Sequence, residues 1–149
     1  MKIESILVAT DFSDAAQHAV DYAVDLAKHF EAEVILLHAF NVEVPIASPM
    51  MSGGYVLPDG FFEQIGKQAR LQVENRAKEI GEKGVRATGV ALDEPAYLAI
   101  TGEAERRSVD LVVMGTRGLT GLKHVALGSV ADKVVRTAPC PVITVPDDC

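Results

Sequence analysis

Short apolar runs alternate with amphipathic helical patterns along most of this chain, and this alternation constrains the fold more than any other feature. The predicted strands occupy residues 2–10, 33–40, 85–92, 110–115 and 140–146. The predicted helices occupy residues 13–30, 62–80, 95–107 and 130–135. Because strands that alternate with helices form parallel sheets covered by helices on both faces, the sequence predicts an α/β fold.

The chain length and the rules of chain connection narrow the fold further. The 149 residues fit one domain that spans 1–149. Right-handed crossovers leave few topologies, and the strand order most commonly reverses beside the first strand. We therefore predict a single-domain, Rossmann-like open sheet of five parallel strands in the order 3-2-1-4-5.

This topology predicts where a ligand binds. Ligands of such sheets lie beyond the carboxyl ends of the strands, at the point where the strand order reverses. In this chain the first strand ends at Thr10 and Asp11, and the fourth ends at Met114 and Gly115. These two strand ends mark the predicted crevice.

The segment MGTRGLTGLKHVALGS, residues 114–129, starts at this crevice and contains no acidic residue, although the chain has a net charge of −7. Gly115 and Gly118 allow backbone N–H groups to converge on an anion. Ser129 precedes the fourth helix, whose first N–H groups favour a phosphate. In the alternative interpretation Gly115 and Gly118 form an ordinary loop and Gly128-Ser129 an ordinary helix cap, where Ser129-x-x-Asp132 resembles a capping box with Asp in place of Glu.

Two further positions are candidates for ligand contact. The carboxylate of Asp11 can accept hydrogen bonds from a ribose diol or an amino group. Alternatively, Asp11 or Ser13 only satisfies the N-terminus of the first helix, where Ser13 or Asp14 is the expected cap. Ala39 ends the second strand and can offer its backbone N–H and C=O to the edge of a base.

Charge, hydropathy and cysteine content exclude other classes of partner. The net charge of −7 argues against general nucleic-acid binding, which needs a basic face. The longest apolar runs, such as VILLHAF, are too short to span a membrane, and no signal-peptide pattern is present. Cys140 and Cys149 lack metal-ligand spacing and are expected to be free thiols. We expect a cytoplasmic protein with no nucleic-acid partner and no membrane insertion.

The chain resembles the universal stress protein family, in the nucleotide-binding branch marked by G-x2-G-x9-G-[ST]. Gly115, Gly118, Gly128 and Ser129 match that motif without a gap. The resemblance extends over ILVATDFSDAAQHAVDYA, EVILLHAF and the segment from DLVVMG to PVITV. It implies a sheet like that of the adenine nucleotide α hydrolases, usually in a homodimer.

The same resemblance implies ATP or another adenine nucleotide as the ligand, including AMP or cyclic AMP, with Mg²⁺ or Mn²⁺ carried by the phosphates. The ribose would lie near Asp11 and Gly115 and the base against Ala39. Gly118, Gly128, Ser129 and Val130 would surround the phosphates. The candidate binding residues are therefore Thr10, Asp11, Ala39, Met114, Gly115, Arg117, Gly118, Gly128, Ser129 and Val130.

No catalytic constellation is evident in the sequence. A kinase or hydrolase needs a base or a water-positioning group near the γ-phosphate. Within the loop, Lys123 and His124 are the positions that would separate binding from catalysis, and a P-loop motif is absent. We expect a nucleotide-binding regulatory or stress-response switch without assigned catalytic or metal-ligating residues. The alternatives are a slow ATPase or autophosphorylating enzyme and a scaffold with a structural nucleotide.

Two segments bear on assembly. The strand at 141–145, PVITV, is expected at the edge of the sheet, where it is predicted to pair with a second copy. The alternative is that the long segment 41–60 covers it. That segment is rich in Pro, Gly and Met and is long for a connection, which indicates a functional or mobile loop.

Overall fold

A computed structural model describes residues 1–42, 58–117 and 127–147 of the chain. The strands are β1 (Ser5–Ala9), β2 (Glu33–Ala39), β3 (Ala87–Leu92), β4 (Leu111–Gly115) and β5 (Val142–Val145). The helices are α1 (Asp14–Phe30), α2 (Phe61–Glu82), α3 (Ala96–Arg106) and α4 (Ser129–Thr137). The predicted strands and helices are thus present in the predicted sequence order, and most of segment 41–60 lies outside the described residues.

The five strands form one parallel sheet in the order β3-β2-β1-β4-β5. This confirms the predicted fold and strand order. The strand order reverses between β1 and β4, where Leu7 is paired with Val112 and Val8 with Val113. The chain leaves β1 toward β2 and β3, returns through α3, and enters β4 on the other side of β1.

Alternate residues of the central strands face two separate cores. Val8, Leu36 and Val113 belong to the core beneath α1 and α2. Leu7 and Val112 belong to the core beneath α3 and α4. Because both faces of the sheet are covered, the central strands are continuously apolar instead of alternating with polar residues.

Local sequence explains where α1 begins and why α2 lies close to the sheet. The Ser13 hydroxyl accepts a hydrogen bond from the Ala16 N–H at 3.1 Å. Of the two predicted caps, Ser13 and Asp14, Ser13 is therefore the N-cap. On β3, a Cβ atom at Gly89 would lie 2.7 Å from the carbonyl oxygen of Val73 in α2. Gly89 therefore allows the backbone of α2 to approach β3 more closely than any side chain would permit.

At the amino end of the sheet, Asp110, which precedes β4, binds the start of β1. Its Oδ2 accepts hydrogen bonds from the N–H of Glu4 at 2.9 Å, the N–H of Ser5 at 3.0 Å and the hydroxyl of Ser5 at 3.1 Å. These bonds, first among them the one from the Glu4 N–H, lower the pKa of Asp110. The carboxylate therefore joins the beginnings of β1 and β4.

Candidate functional site

A cavity opens at the carboxyl end of the sheet, where the strand order reverses. It contains about 740 Å³ of space free of protein atoms, part of which is open solvent. Its described lining includes nine of the ten candidate residues: Thr10, Asp11, Ala39, Met114, Gly115, Arg117, Gly128, Ser129 and Val130. The tenth, Gly118, lies outside the described residues.

The first wall of the cavity is the turn between β1 and α1. Asp11 Oδ1 accepts a hydrogen bond from the Ser13 N–H at 3.0 Å and a short one from the Ser13 hydroxyl. Thr10 is buried, and its Oγ1 accepts a hydrogen bond from the Phe12 N–H at 3.0 Å. Asp11 thus has the local role that the sequence left open, and it also lines the cavity.

Phe12 makes this turn unusual, because its φ of 62° lies in the left-handed region. A bulky residue in that region costs about 1–3 kcal/mol and persists only where its surroundings hold it. The ring of Phe12 packs against the ring of His38, with 4.5 Å between the centroids. The turn is therefore held by tertiary contacts as well as by its own hydrogen bonds.

Ala39 is the last residue of β2, and its backbone N–H and C=O lie at the carboxyl end of the sheet. Along β2 the backbone alternates between its two neighbours: the Thr10 N–H donates to the Leu37 carbonyl at 2.8 Å, and the Phe40 N–H donates to the Leu92 carbonyl at 2.9 Å. By this alternation the N–H and C=O of Ala39 point toward β1, which has already ended at Ala9. The edge of a planar base can occupy the place of the missing strand.

The second wall is the loop after β4, whose two described halves touch. The Gly128 N–H donates to the Thr116 carbonyl at 2.6 Å. A Cβ at Gly128 would lie 3.0 Å from that oxygen, and a Cβ at Gly115 would lie 3.2 Å from the carbonyl oxygen of Arg117. Both glycines therefore permit the loop to close on itself, which is a reason for glycine beyond close approach of a ligand.

The start of α4 differs from the predicted one. Ser129 is the first residue of α4, and Gly128 is the N-cap with an extended backbone and no capping side chain. The helix thus begins one residue earlier than predicted, and the alternative in which the Ser129 hydroxyl caps it is wrong. The backbone N–H of Asp132 donates instead to the Gly128 carbonyl at 2.9 Å.

This shift strengthens the case for an anion site. The first N–H groups of a helix have no acceptor within the helix, and they lie at its positive end. In α4 these groups belong to Ser129, Val130 and Ala131, all of which line the cavity. Among the described residues, no hydrogen bond to the Ser129 hydroxyl is found. That hydroxyl can therefore serve a ligand oxygen.

Arg117 is the cation of the described lining, and Asp147 is the acid near it. The Nη1 of Arg117 lies 3.9 Å from the Oδ2 of Asp147. The Nε of Arg117 and Oδ1 of Asp147 are buried without a hydrogen-bond partner in the described part of the chain. The pair is thus incompletely satisfied, beside a cavity that Arg117 lines.

Sequence reasoning missed the apolar wall that α3 contributes. Ala96 and Ile100, one helical turn apart, line the cavity together with Thr10 and the β4 loop. The i, i+4 spacing and the start of α3 at the carboxyl end of the sheet carry this signal. Lys123 and His124, the positions expected to decide between binding and catalysis, lie outside the described residues.

Neither a metal-binding cluster nor a membrane-spanning helix is found in the described part of the chain. Across residues 1–42, 58–117 and 127–147, no group of three or more His, Cys, Asp or Glu side chains could hold a metal ion. Within the same ranges, no helix is long and apolar enough to cross a membrane.

Comparison with known proteins gives the family. Residues 2–146 match the universal stress protein family. The chain belongs to this family. It is 37% identical over 145 residues to universal stress protein YxiE of Bacillus subtilis, covering 94% of this chain and 97% of that protein. Among solved structures it is similar to MJ0577 of Methanocaldococcus jannaschii, with a TM-score of 0.80, 27% identity and coverage of 98% and 97% of the two chains.

Other universal stress proteins of the same fold have been solved with nucleotides. One, in complex with cAMP, has a TM-score of 0.70, 21% identity and coverage of 99% of this chain and 100% of that one. Another, from Archaeoglobus fulgidus in complex with dAMP, has a TM-score of 0.62, 22% identity and coverage of 97% and 98%. At these identities the likeness to this chain is one of fold.

Proposed function

We propose that this universal stress protein binds an adenine nucleotide, with ATP the expected form, in the cavity at the carboxyl end of its sheet. The observation that carries the proposal is that nine of the ten predicted binding residues line one cavity at the reversal of strand order. The nucleotide complexes of two family members with the same fold support it.

Each part of a nucleotide has a counterpart in the lining. The backbone of Ala39 faces the space beyond β1 and would pair with the base edge, and Ile100 offers an apolar surface to its ring. Asp11 would accept hydrogen bonds from the ribose. The N–H groups of Ser129 and Val130 would hold phosphate, because helix N-termini favour anions.

The donor set also decides how a divalent ion would be held. In the described lining Asp11 is the acidic residue, and its Oδ1 already accepts two bonds from Ser13. We therefore propose that Mg²⁺ or Mn²⁺ enters with the phosphates and depends on them. Such an ion would neutralise phosphate charge beside α4.

We propose a regulatory role in which nucleotide occupancy is the signal. The cavity is lined by the β1–α1 turn, the end of β2, the start of α3 and the β4–α4 loop. A nucleotide bound there would join these segments and restrict their movement, and a partner could recognise the joined form. The described lining offers binding groups, with no base evident beside the phosphate position.

The binding proposal is tested by filling the cavity. Ala96→Trp places an indole where Ala96 now lines the space, and we expect affinity for ATP to fall at least about 100-fold, or about 2.8 kcal/mol. Leu98→Trp is the matched control, because Leu98 lies on the same helix and its side chain is 46% exposed. Isothermal titration calorimetry with ATP, AMP and cAMP measures both variants, and circular dichroism verifies their folding.

The outcomes are distinct. Wild-type protein that binds none of the three nucleotides contradicts the proposal, and equal binding by wild type and a folded Ala96→Trp variant contradicts the location. Steady ATP turnover by pure protein, lost on replacing Lys123 or His124, would favour the enzymatic alternative. A nucleotide that copurifies, and whose removal lowers the unfolding temperature, would favour the structural one.

We also propose that β5 mediates a homodimer. β5 pairs with β4 on one side, and in the described sheet no strand lies against its other edge. Val142 and Ile143 remain only half-buried in the single chain. An unpaired apolar edge favours pairing with a second copy, and sedimentation of a monomer at micromolar concentration would contradict the proposal.

A further inference from the structure

His38 lies on the opposite face of β2 from the cavity. Its neighbours Leu37 and Ala39 line the cavity, so the alternation of strand residues directs His38 toward the α1 side of the sheet. There it is half-buried, and its ring packs against Phe12 at a centroid distance of 4.5 Å and an interplanar angle of 49°. The side chain therefore contacts the β1–α1 turn from the face of the sheet opposite the cavity.

A hydrogen bond connects His38 to the same turn. Its Nδ1 lies 2.9 Å from the carbonyl oxygen of Thr10. Because a carbonyl can only accept, Nδ1 carries the proton and donates it. The Thr10 carbonyl is the group that a longer β1 would offer to the Ala39 N–H. His38 thus satisfies this carbonyl at the point where the strand ladder stops.

These two contacts bear on a turn whose geometry is unfavourable by itself. Phe12 has a φ of 62°, a conformation that side-chain-bearing residues adopt only where the surroundings stabilise it. Asp11 lies between the two residues that His38 contacts, Thr10 and Phe12. Both contacts therefore act on the backbone on either side of Asp11.

We propose that His38 is a positioning residue that orients Asp11 and thereby sets the selectivity of the site for ribose hydroxyls. The inference rests on the proposed nucleotide site and adds a residue that does not line the cavity. His38 acts through the Thr10 carbonyl: the bond fixes the peptide that leads into Asp11, and Asp11 accepts hydrogen bonds from the ribose.

Two substitutions separate the hydrogen bond from the ring contact. His38→Phe keeps a ring for Phe12 but removes the donor to Thr10. His38→Asn removes the ring but keeps a side-chain N–H close to the position of Nδ1. The probes are AMP and 2′-deoxy-AMP, with affinities measured by isothermal titration calorimetry, and the readout is the ratio of the two affinities.

We expect wild type to prefer AMP by about tenfold, as one hydrogen bond to a charged acceptor provides. His38→Phe should lower this preference to about twofold or less, and His38→Asn should retain most of it. In the Asp11→Ala background, adding His38→Phe should change the ratio no further, because the selectivity it acts on has already been lost.

Several results would overturn the inference. If His38→Phe weakens AMP and 2′-deoxy-AMP equally, or weakens neither, His38 is only structural. If wild type binds both probes equally well, the nucleotide site stands but Asp11 does not read the ribose hydroxyl. Failure of wild type to bind AMP, 2′-deoxy-AMP or ATP would contradict the proposed function itself.

Discussion

At the amino end of the sheet, Asp110 accepts three hydrogen bonds from Glu4 and Ser5 through one oxygen, and it joins β1 to β4. At the carboxyl end the same two strands separate into loops around a cavity, and Asp11 lines that cavity. The first helical N–H groups of α4 also face this space.

The difference between the two ends follows from the direction of the strands. Helices of a parallel α/β sheet begin at its carboxyl end, so their positive ends and unpaired N–H groups gather there. At the amino end the polar groups around Asp110 find partners within the chain. We infer that the amino end serves stability and that the carboxyl end serves binding, and the following substitutions test this division.

The largest effect on stability is expected at the amino end. Asp110→Ala removes a charged acceptor from two backbone N–H groups and a hydroxyl, and should lower the free energy of unfolding by about 2 kcal/mol. Urea denaturation measures the loss, and Asp110→Asn should lose less because its amide oxygen still accepts. Nucleotide affinity should stay unchanged, and a parallel loss of affinity would contradict the division between the two ends.

At the carboxyl end, Gly128→Ala should affect stability and binding together. Its Cβ would lie 3.0 Å from the Thr116 carbonyl oxygen, so the two halves of the loop must move apart. We expect a loss of about 1 kcal/mol in the free energy of unfolding, together with weaker ATP binding. Gly102→Ala is the control: nothing lies within 4 Å of a Cβ there, and a helical alanine should stabilise the protein slightly.

Ser129→Ala should affect binding alone. Gly128 caps α4, so loss of the Ser129 hydroxyl removes no capping bond. We expect affinity for ATP to fall about fivefold, or about 1 kcal/mol, and affinity for adenosine to stay unchanged, since adenosine has no phosphate. A loss of stability without a change in ATP affinity would show that the hydroxyl supports the loop instead.

The smallest expected effect is a pH dependence at the amino end. The pKa of Asp110 is lowered from its ordinary value of 3.8. The group therefore contributes stability that is present above that value and is lost as the pH falls through the lowered pKa. The difference in unfolding free energy between wild type and Asp110→Asn should shrink from pH 5 toward pH 2, and a difference that grows would contradict the assignment.

Glu103 is the reason for comparing wild type with Asp110→Asn at each pH instead of following wild type alone. Burial alone raises the pKa of its carboxyl, but hydrogen bonds from Arg106 and Arg107 outweigh burial and lower the pKa. Stability of the whole protein will therefore decrease in acid for this second reason too. Subtracting Asp110→Asn from wild type isolates the part that Asp110 contributes.

Much of the fold could be predicted from sequence, because the spacing of apolar residues indicates the strands and helices and their order along the chain determines the topology. The run VILLHAF and the amphipathic helices on either side of it give a parallel sheet. Once the strand order reverses beside β1, Asp11 and Gly115 must come close. These conclusions need no side-chain contact, which is why sequence pattern suffices for them.

The parts that failed or were missed depend on contacts distant in sequence. By its local sequence Ser129 resembles a capping residue. However, the Gly128 N–H donates a hydrogen bond to the Thr116 carbonyl, and Gly128 is therefore held in place as the N-cap of α4. Likewise, a positive φ at Phe12 is unexpected for an aromatic residue and is stabilised by His38, which is 26 positions away in sequence.

The most direct test of the division between the two ends is an AMP titration of the isotope-labelled protein, followed through backbone amide chemical shifts. We expect the largest shifts at the amides of Ala39, Gly115, Ser129 and Val130, with those of Glu4 and Ser5 unchanged. Shifts centred on Glu4 and Ser5, or no shift at saturating AMP, would contradict the assignment of nucleotide binding to the carboxyl end of the sheet.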